Sequence, residues 1–437
     1  MNETIKQLFA FIESSPTGFH AVETMRKTLL DNGYEQLLEG DEWNLRKGGK
    51  YFVIRNGSAL LAFRLPNREW NGFQIMASHS DSPFFKIKEN PEMEAVGHYV
   101  RLNVEKYGGM LMAPWFDRPL SAAGRLVVKE NGHIVTKLVN ADRDLLMIPN
   151  LAIHMNRDAN NGVKYSVQKD LLPLYGDETS KGTFMKTMAD YAGVEESSII
   201  GHDLFVSSRS KGTVWGANEE YISMGRLDDL ECAFASLQGF LQAEENDSIP
   251  IHAVFDNEEV GSETKQGAGS TFLSDTLLRI CESFGISGSA YRRMLASSLM
   301  LSADNGHAVH PANPDKACPI NRPYMNGGVV IKYSANQRYT TDGIAAGLFK
   351  EICERANVPY QLFFNHSDVL GGSTLGNISG TQVALNTVDI GLAQLAMHSP
   401  YETGGVKDPD YLIRAAAYFF GCVIKEDGYG SYTILHS

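Results

Sequence analysis

The stretch IHAVFDNEEVGS, residues 251–262, joins two unlike halves. Ile251 to Phe255 is a short apolar run of the kind buried within a sheet. Three acids follow at once: Asp256, Glu258 and Glu259. Like charges repel, and each desolvated carboxylate costs several kcal/mol or more unless it is paired. A positive partner is expected there, either a Lys or Arg side chain or a metal ion.

Three other apolar runs end the same way. FQIMAS leads into His79 and Asp81, SLMLSA into Asp304, His307 and His310, and DIGLAQLAM into His398. Open α/β sheets bind their ligands beyond the carboxyl ends of the strands, so four such endings outweigh any one of them. Imidazole and carboxylate donors without thiolate suit Zn, Mn or Co, and suit a hydrolytic site with an open coordination position.

The surrounding chain alternates helices and strands. From about residue 225, DDLECAFASLQGFLQA, DTLLRICESFG and DGIAAGLFKEICERANV read as helices, with IPIHAVF, SLMLSA, YQLFFN and QVALNTVDIGL as strands between and after them. DPDYLIRAAAYFFGCVIKE reads as a closing helix. Residues 1–90 hold two helical patterns and then the strand-like runs KYFVIRN, SALLAFRL and FQIMASH. Residues 91–224 are β-rich, with HYVRLNV, HDLFVSS, one helix around 181–194 and the hairpin GRLVVKENGHIVTKLV turning at Asn131-Gly132. The expected architecture is an α/β catalytic domain, residues 1–90 plus 225–437, interrupted by an inserted β-rich domain, residues 91–224.

Composition narrows the function. The 437 residues suit more than one core, and 43% hydrophobic with 21% charged residues is ordinary for a globular chain. A net charge of -13 argues against nucleic acid and anionic lipid as partners. The five cysteines are scattered without a CxxC pair, which argues against a disulfide framework or a thiolate zinc site. No apolar stretch approaches the roughly 18–20 residues of a membrane span, and the N-terminal segment is polar and periodic, so a cytoplasmic protein is expected.

Each motif carries a plainer reading beside the chemical one. HSD, His79 with Asp81, is in isolation a surface loop pair; at a strand end it is a ligand whose second ring nitrogen is fixed by a carboxylate. Glu258 and Glu259 make either an exposed acidic turn or a ligand beside a general base. Asp228 and Asp229, before a helix, suit both an N-cap and a carboxylate bridging two metals. His154, in NLAIHMNRD, reads by itself as a strand histidine. Neither the Gly-rich stretches nor any serine carries a phosphate-loop or nucleophile-elbow pattern.

Taken in order, ASHSDSP, WFDRPLS, IPNLAIHMNR, GRLDDL, FDNEEVGS, SADNGHAVHP, IKYSANQRY and LAMHSPYE resemble the blocks of the aspartyl aminopeptidase family of dinuclear zinc metallopeptidases, in its bacterial-type form. The resemblance spans nearly the whole chain. It implies metal ligation by His79, Asp228, Glu259, Asp304 and His398, with Asp228 bridging two zinc ions per subunit, Mn or Co being alternatives. It implies Glu258 as general base and Asp81 as the residue that orients His79. His154, His307, Lys332 and Tyr339 match substrate-contacting positions, His154 lying beside the metals or coming from a neighbouring subunit. The implied fold is a mixed-sheet catalytic domain split by a barrel-like dimerisation domain, and the implied assembly is dimers building a tetrahedral dodecamer. The implied activity is removal of N-terminal residues, acidic ones preferred, from small peptides. The alternatives are an aminopeptidase of neutral preference, an amino-acid deacylase or carboxypeptidase of similar build, and a non-catalytic shell or cargo protein.

Overall fold

The apolar runs that end in acids and histidines are the central strands of one sheet. A computed structural model describes residues 2–369 and 371–436. The strands of its large sheet, numbered along the chain, are β1 (Glu35–Leu37), β2 (Lys50–Arg55), β3 (Ala59–Arg64), β4 (Phe73–His79), β5 (Ile249–Phe255), β6 (Leu299–Ala303), β7 (Val329–Tyr333), β8 (Tyr360–Phe364) and β9 (Asn386–Gly391). They lie in the order β1-β2-β3-β5-β4-β6-β9-β7-β8. The four in the middle, β5, β4, β6 and β9, run parallel, while β3 and β7 run antiparallel to their inner neighbours.

Burial on both faces explains the near-continuous apolar runs. Along β4, Met76 enters a core formed with the helices Glu3–Glu13, Gly18–Asp31, Leu227–Gln242, Gly343–Arg355 and Asp408–Phe420. Its neighbours Ile75 and Ala77 face the opposite core, against Phe272–Glu282. That alternation is the two-residue strand period. It brings the carboxyl ends of four parallel strands to one edge of the molecule, where the site is built.

Between β4 and β5 the chain forms a second, six-stranded antiparallel sheet. Its order is His133–Asn140, Leu120–Glu130, Ile199–Ser208, Phe84–Ala95, Tyr99–Tyr107, Leu174–Asp177. It has its own core, in which Phe85, Leu102, Trp115, Leu126 and Leu204 pack against Phe184 and Met188 of the helix Phe184–Ala192. The hairpin turns where expected: Glu130 pairs with His133, and Asn131 and Gly132 have φ of 52° and 84°. Single bridges, Leu120 to Leu146 and Met147 to Leu174, tie the segment 146–147 to two of its strands.

Three details differ from the sequence reading. The second sheet starts at Phe84, directly after the site loop, rather than near residue 91. Tyr221–Met224 pairs with Glu402–Gly405, a partner that local alternation cannot reveal. The closing helix stops at Phe420, and Cys422–Gly428 pairs with Ser431–His436 as a terminal hairpin. Gly421 ends the helix there, and the β-branched Val423 and Ile424 continue as strand. Among the described residues all five cysteines are free, and no helix is long and apolar enough to cross a membrane.

Candidate active site

Five separate elements deliver the site. His79 is the last residue of β4, Asp304 follows β6, Glu258 and Glu259 sit on the turn after β5, and Asp228 and Asp229 open the helix Leu227–Gln242. His398 comes from the segment after β9, with φ of 66°. The helix start is not a capped one: Asp228 and Asp229 have non-helical backbone angles, and no side chain caps it. The N-cap reading of the two aspartates therefore fails, and their carboxyl groups point elsewhere.

The ligand atoms converge into groups that share a member. One atom each from His79, Asp228, Asp229 and Asp304 lie within 4.8 Å of one another, as do atoms from Asp228, Glu259 and His398. Asp228 belongs to both groups. Its Oδ1 lies 3.5 Å from His79 Nε2, and its Oδ2 lies 3.3 Å from His398 Nε2. His398 Nε2 is also 3.3 Å from Glu259 Oε2. A third group joins His79, Glu258 and Glu259, so the Glu258 carboxylate is within the same reach.

The electrostatics suit a cation. Asp228 Oδ1, Asp229 Oδ1 and Glu259 Oε1 are buried without a hydrogen-bond partner. Burial first, then repulsion from neighbouring carboxylates, pushes Glu259 well above its ordinary range and Glu258 up to about 8. Asp304 is raised to about 6, again chiefly by burial, although Lys332 opposes the rise. Burial works against His79, yet Asp228 and Asp81 outweigh it and hold the imidazole well above its usual value. The donors are imidazole and carboxylate, each orphaned oxygen belongs to a residue of the cation groups, and the set fits zinc.

A supporting ring aims these groups. His79 Nδ1 lies 3.1 Å from the Asp81 backbone oxygen and 3.3 Å from its Oδ1, which leaves Nε2 to face Asp228. The Asp81 carboxylate accepts the backbone N–H groups of Glu258 and Glu259 at 3.1 and 3.2 Å. One aspartate thereby orients a histidine on β4 and the acidic turn after β5.

The remaining candidates divide. Lys332 is only 2% exposed; its Nζ donates to the backbone oxygen of Asp304 at 2.7 Å and lies 5.3 Å from the Tyr339 ring. Burial lowers the Lys332 ammonium, but Asp304, Tyr339 and Asp389 together hold it above its ordinary value. Tyr339 is buried against Phe363, and His307 meets the same ring from the accessible side. His154 is exposed on the loop between Asn140 and Val167, is no part of a strand, and joins none of the cation groups. His310 is exposed and hydrogen-bonds within its own loop. Asp256 turns away from the ligand atoms, accepts the Asn257 backbone N–H at 2.7 Å, and is raised by burial to about 7.

Two residues that motif reasoning passed over, Glu402 and Tyr107, also act here, together with Asp229, which the sequence left between an N-cap and a metal-bridging carboxylate. Asp229 accepts the His79 N–H at 3.2 Å and stands in the first cation group. Glu402, 2% exposed, accepts the backbone N–H groups of Asp228 at 3.0 Å and His398 at 2.7 Å, tying two ligands together. Burial pushes Glu402 well above the carboxylate range. Tyr107, from the inserted sheet, donates to Asp81 Oδ2 at 2.6 Å.

Known proteins resemble this chain over nearly its whole length. Residues 11–420 match the M18 family, described as aminopeptidase I zinc metalloprotease. A Clostridium acetobutylicum protein named probable M18 family aminopeptidase 2 is 46% identical over 426 residues, covering 96% of this chain and 98% of its own. A chain in the complex of Ape4 and Nbr1 superposes with a TM-score of 0.92 at 34% identity, over 95% of this chain and 85% of that one. The mApe1 dodecamer of S. cerevisiae superposes with a TM-score of 0.85 at 28% identity, covering 96% of each chain. The chain belongs to the M18 family of zinc metalloproteases and is an aminopeptidase, a hydrolase of peptide N-termini.

Proposed function

We propose that the chain removes N-terminal residues from short peptides at a two-zinc centre, with acidic N-termini preferred. His79 and Asp304 would hold one ion, Glu259 and His398 the other, and Asp228 would serve both. The observation that carries this reading is the membership of Asp228 in both cation groups, one oxygen toward each histidine. Bound zinc supplies Lewis acidity to the scissile carbonyl and to the attacking water. Glu258 is the general base: it takes a proton from the attacking water and passes it to the departing amine. Its position supports the role: the Glu258 carboxylate lies within reach of the same cluster as His79 and Glu259. Asp81 fixes the tautomer of His79.

The acidic preference rests on Lys332 and His307. An ammonium has three N–H donors, and two of those on Lys332 serve the Asp304 and Asn305 backbone oxygens at 2.7 and 3.4 Å. The same Nζ lies 3.8 Å from Asp304 Oδ2, so a substrate carboxylate would share this ammonium with Asp304, with His307 and Tyr339 shaping the approach. His154 acts in a neighbouring subunit's site, from an exposed loop that also presents Leu151, Ile153 and Met155. The division into a catalytic part and a dimerisation part belongs to the same reading, with the junctions read at residues 90 and 224 moved to about Phe84 and Ser208 by the strand pairings. So does a tetrahedral dodecamer, supported by the dodecameric state of the S. cerevisiae neighbour.

The test is hydrolysis of unblocked and N-blocked dipeptides beginning with Asp, Glu, Leu or Lys. It is run before and after chelation, then with Zn, Mn or Co restored singly. Cleavage of the unblocked Asp and Glu substrates alone, lost on chelation and regained with zinc, is expected. Preference for Leu would discard the acidic pocket, and cleavage of blocked substrates would turn the reading to a deacylase.

A further inference from the structure

The inserted sheet reaches into the catalytic centre at one point. Tyr107 is the last residue of the strand Tyr99–Tyr107 and pairs with Phe84, the first residue of the next strand in that sheet. Its ring packs edge-on against Phe205, with centroids 5.8 Å apart. Its hydroxyl stands between two residues of the core sheet's loops. It donates to Asp81 Oδ2 at 2.6 Å and accepts from Asn257 Nδ2 at 2.7 Å.

Both contacts lead to the acidic turn. Asn257 immediately precedes Glu258 and has φ of 61°, a left-handed backbone that favours asparagine. Its carboxamide oxygen is taken by Thr264 Oγ at 2.7 Å and Gln266 Nε2 at 2.8 Å, so its amide nitrogen faces Tyr107. Asp81 in turn accepts the Glu258 and Glu259 N–H groups and meets His79 Nδ1. The hydroxyl closes a ring: Tyr107, Asp81, the Glu258–Glu259 backbone, Asn257, and back. Burial, then the charges of Asp81 and Asp256, holds the phenol above its ordinary value, so it remains a donor.

We propose that Tyr107 is a positioning residue of the metal centre, supplied by the inserted sheet, whose hydroxyl sets His79 through Asp81 and aims Glu258 and Glu259 through Asn257. The inference rests on the zinc reading above. Its physical basis is that the groups behind metal ligands fix ligand orientation, and their loss typically costs 10–100-fold in metal affinity or activity.

The test is Tyr107→Phe, which removes one oxygen and keeps the ring against Phe205. Zinc affinity of the apoprotein is measured by competition with a chromophoric chelator, in the wild-type and Asp81→Ala backgrounds, with melting temperatures recorded for all four chains. We expect Tyr107→Phe to weaken zinc about tenfold or more in the wild-type background. In the Asp81→Ala background the same change should cost several-fold less, because the route through Asp81 is already cut and only the contact with Asn257 remains. Steady-state kinetics should show the loss mainly in kcat, with KM held. Wild-type zinc affinity in Tyr107→Phe overturns the inference. So does an equal loss in both backgrounds, which would mark a general loosening of the fold. Failure of the wild-type protein to bind zinc overturns the metal reading itself, and is distinguished by that control.

Discussion

Asp389 and Asp228 are both buried aspartates in the same half of the molecule, and they are treated in opposite ways. Asp389, on β9, is completely enclosed, and the chain satisfies its carboxylate: Ser302 Oγ and Thr374 Oγ donate to one oxygen at 2.7 and 2.5 Å, and the Thr340 N–H to the other at 2.6 Å. Asp228 is also enclosed, but its Oδ1 has no hydrogen-bond partner, and it faces imidazoles and other carboxylates. A buried acid whose lone pairs are filled by its own chain braces the fold. One whose lone pairs are left open, among others like it, is built for a cation that the chain does not provide.

Exchanging the consequences of these two residues gives the largest contrast. Asp228→Asn should abolish zinc binding at both positions and with it peptidase activity, while changing the melting temperature of the metal-free chain less than Asp389→Ala does. Asp389→Ala should cost about 3 kcal/mol in denaturant unfolding, since it strands several buried donors. It should leave zinc stoichiometry intact. If Asp389→Ala also emptied the site, the division between bracing and ligating acids would collapse.

Next in size is Glu258→Gln. Zinc content should match wild type, and kcat should fall by roughly 10²–10⁴, the usual contribution of a positioned acid–base group. Equal activity in that variant would remove Glu258 from the proton transfers. Glu402→Gln should be milder. It replaces one of two acceptor oxygens with a donor that faces the N–H of Asp228 or His398. Zinc affinity should weaken about tenfold, read by chelator competition.

The smallest effect expected is a drift of stability with pH in the metal-free protein. Burial raises Asp304 to about 6, Asp256 to about 7, and Glu231 and Glu258 to about 8. Between about pH 4 and pH 8 the folded chain therefore binds more protons than the unfolded chain, and stability falls as pH rises through that window. Zinc should flatten the slope, and zinc affinity should itself rise with pH, because binding expels protons from ligands such as His79 and Glu259. Thermal melts of loaded and chelated protein across that range measure both.

The amino-acid sequence displays one side of this account better than the other. His79, Glu259 and Asp304 lie at or just after apolar runs, so strand ends and ligand types read out together. The hairpin at Asn131-Gly132 is legible for a similar reason, since only a few residue pairs favour that turn. Glu402 and Tyr107 are different. Their roles depend on backbone N–H groups and a carboxylate brought near by tertiary packing, and nothing in HSPYE or VEKYGG announces such partners. Nothing in VVIKYS announces that Lys332 lies buried beneath Asp304. The terminal hairpin was obscured because Cys422 to Ile424 continues the apolar run of the helix before it.

The most direct test is a zinc titration of the chelated protein by calorimetry, with metal content of the dialysed product as a check. Two groups of donors joined at Asp228 predict about two equivalents per chain, and the Asp228→Asn chain should bind neither tightly. A single equivalent in the wild type, or two equivalents that survive Asp228→Asn, would contradict a centre bridged by that residue.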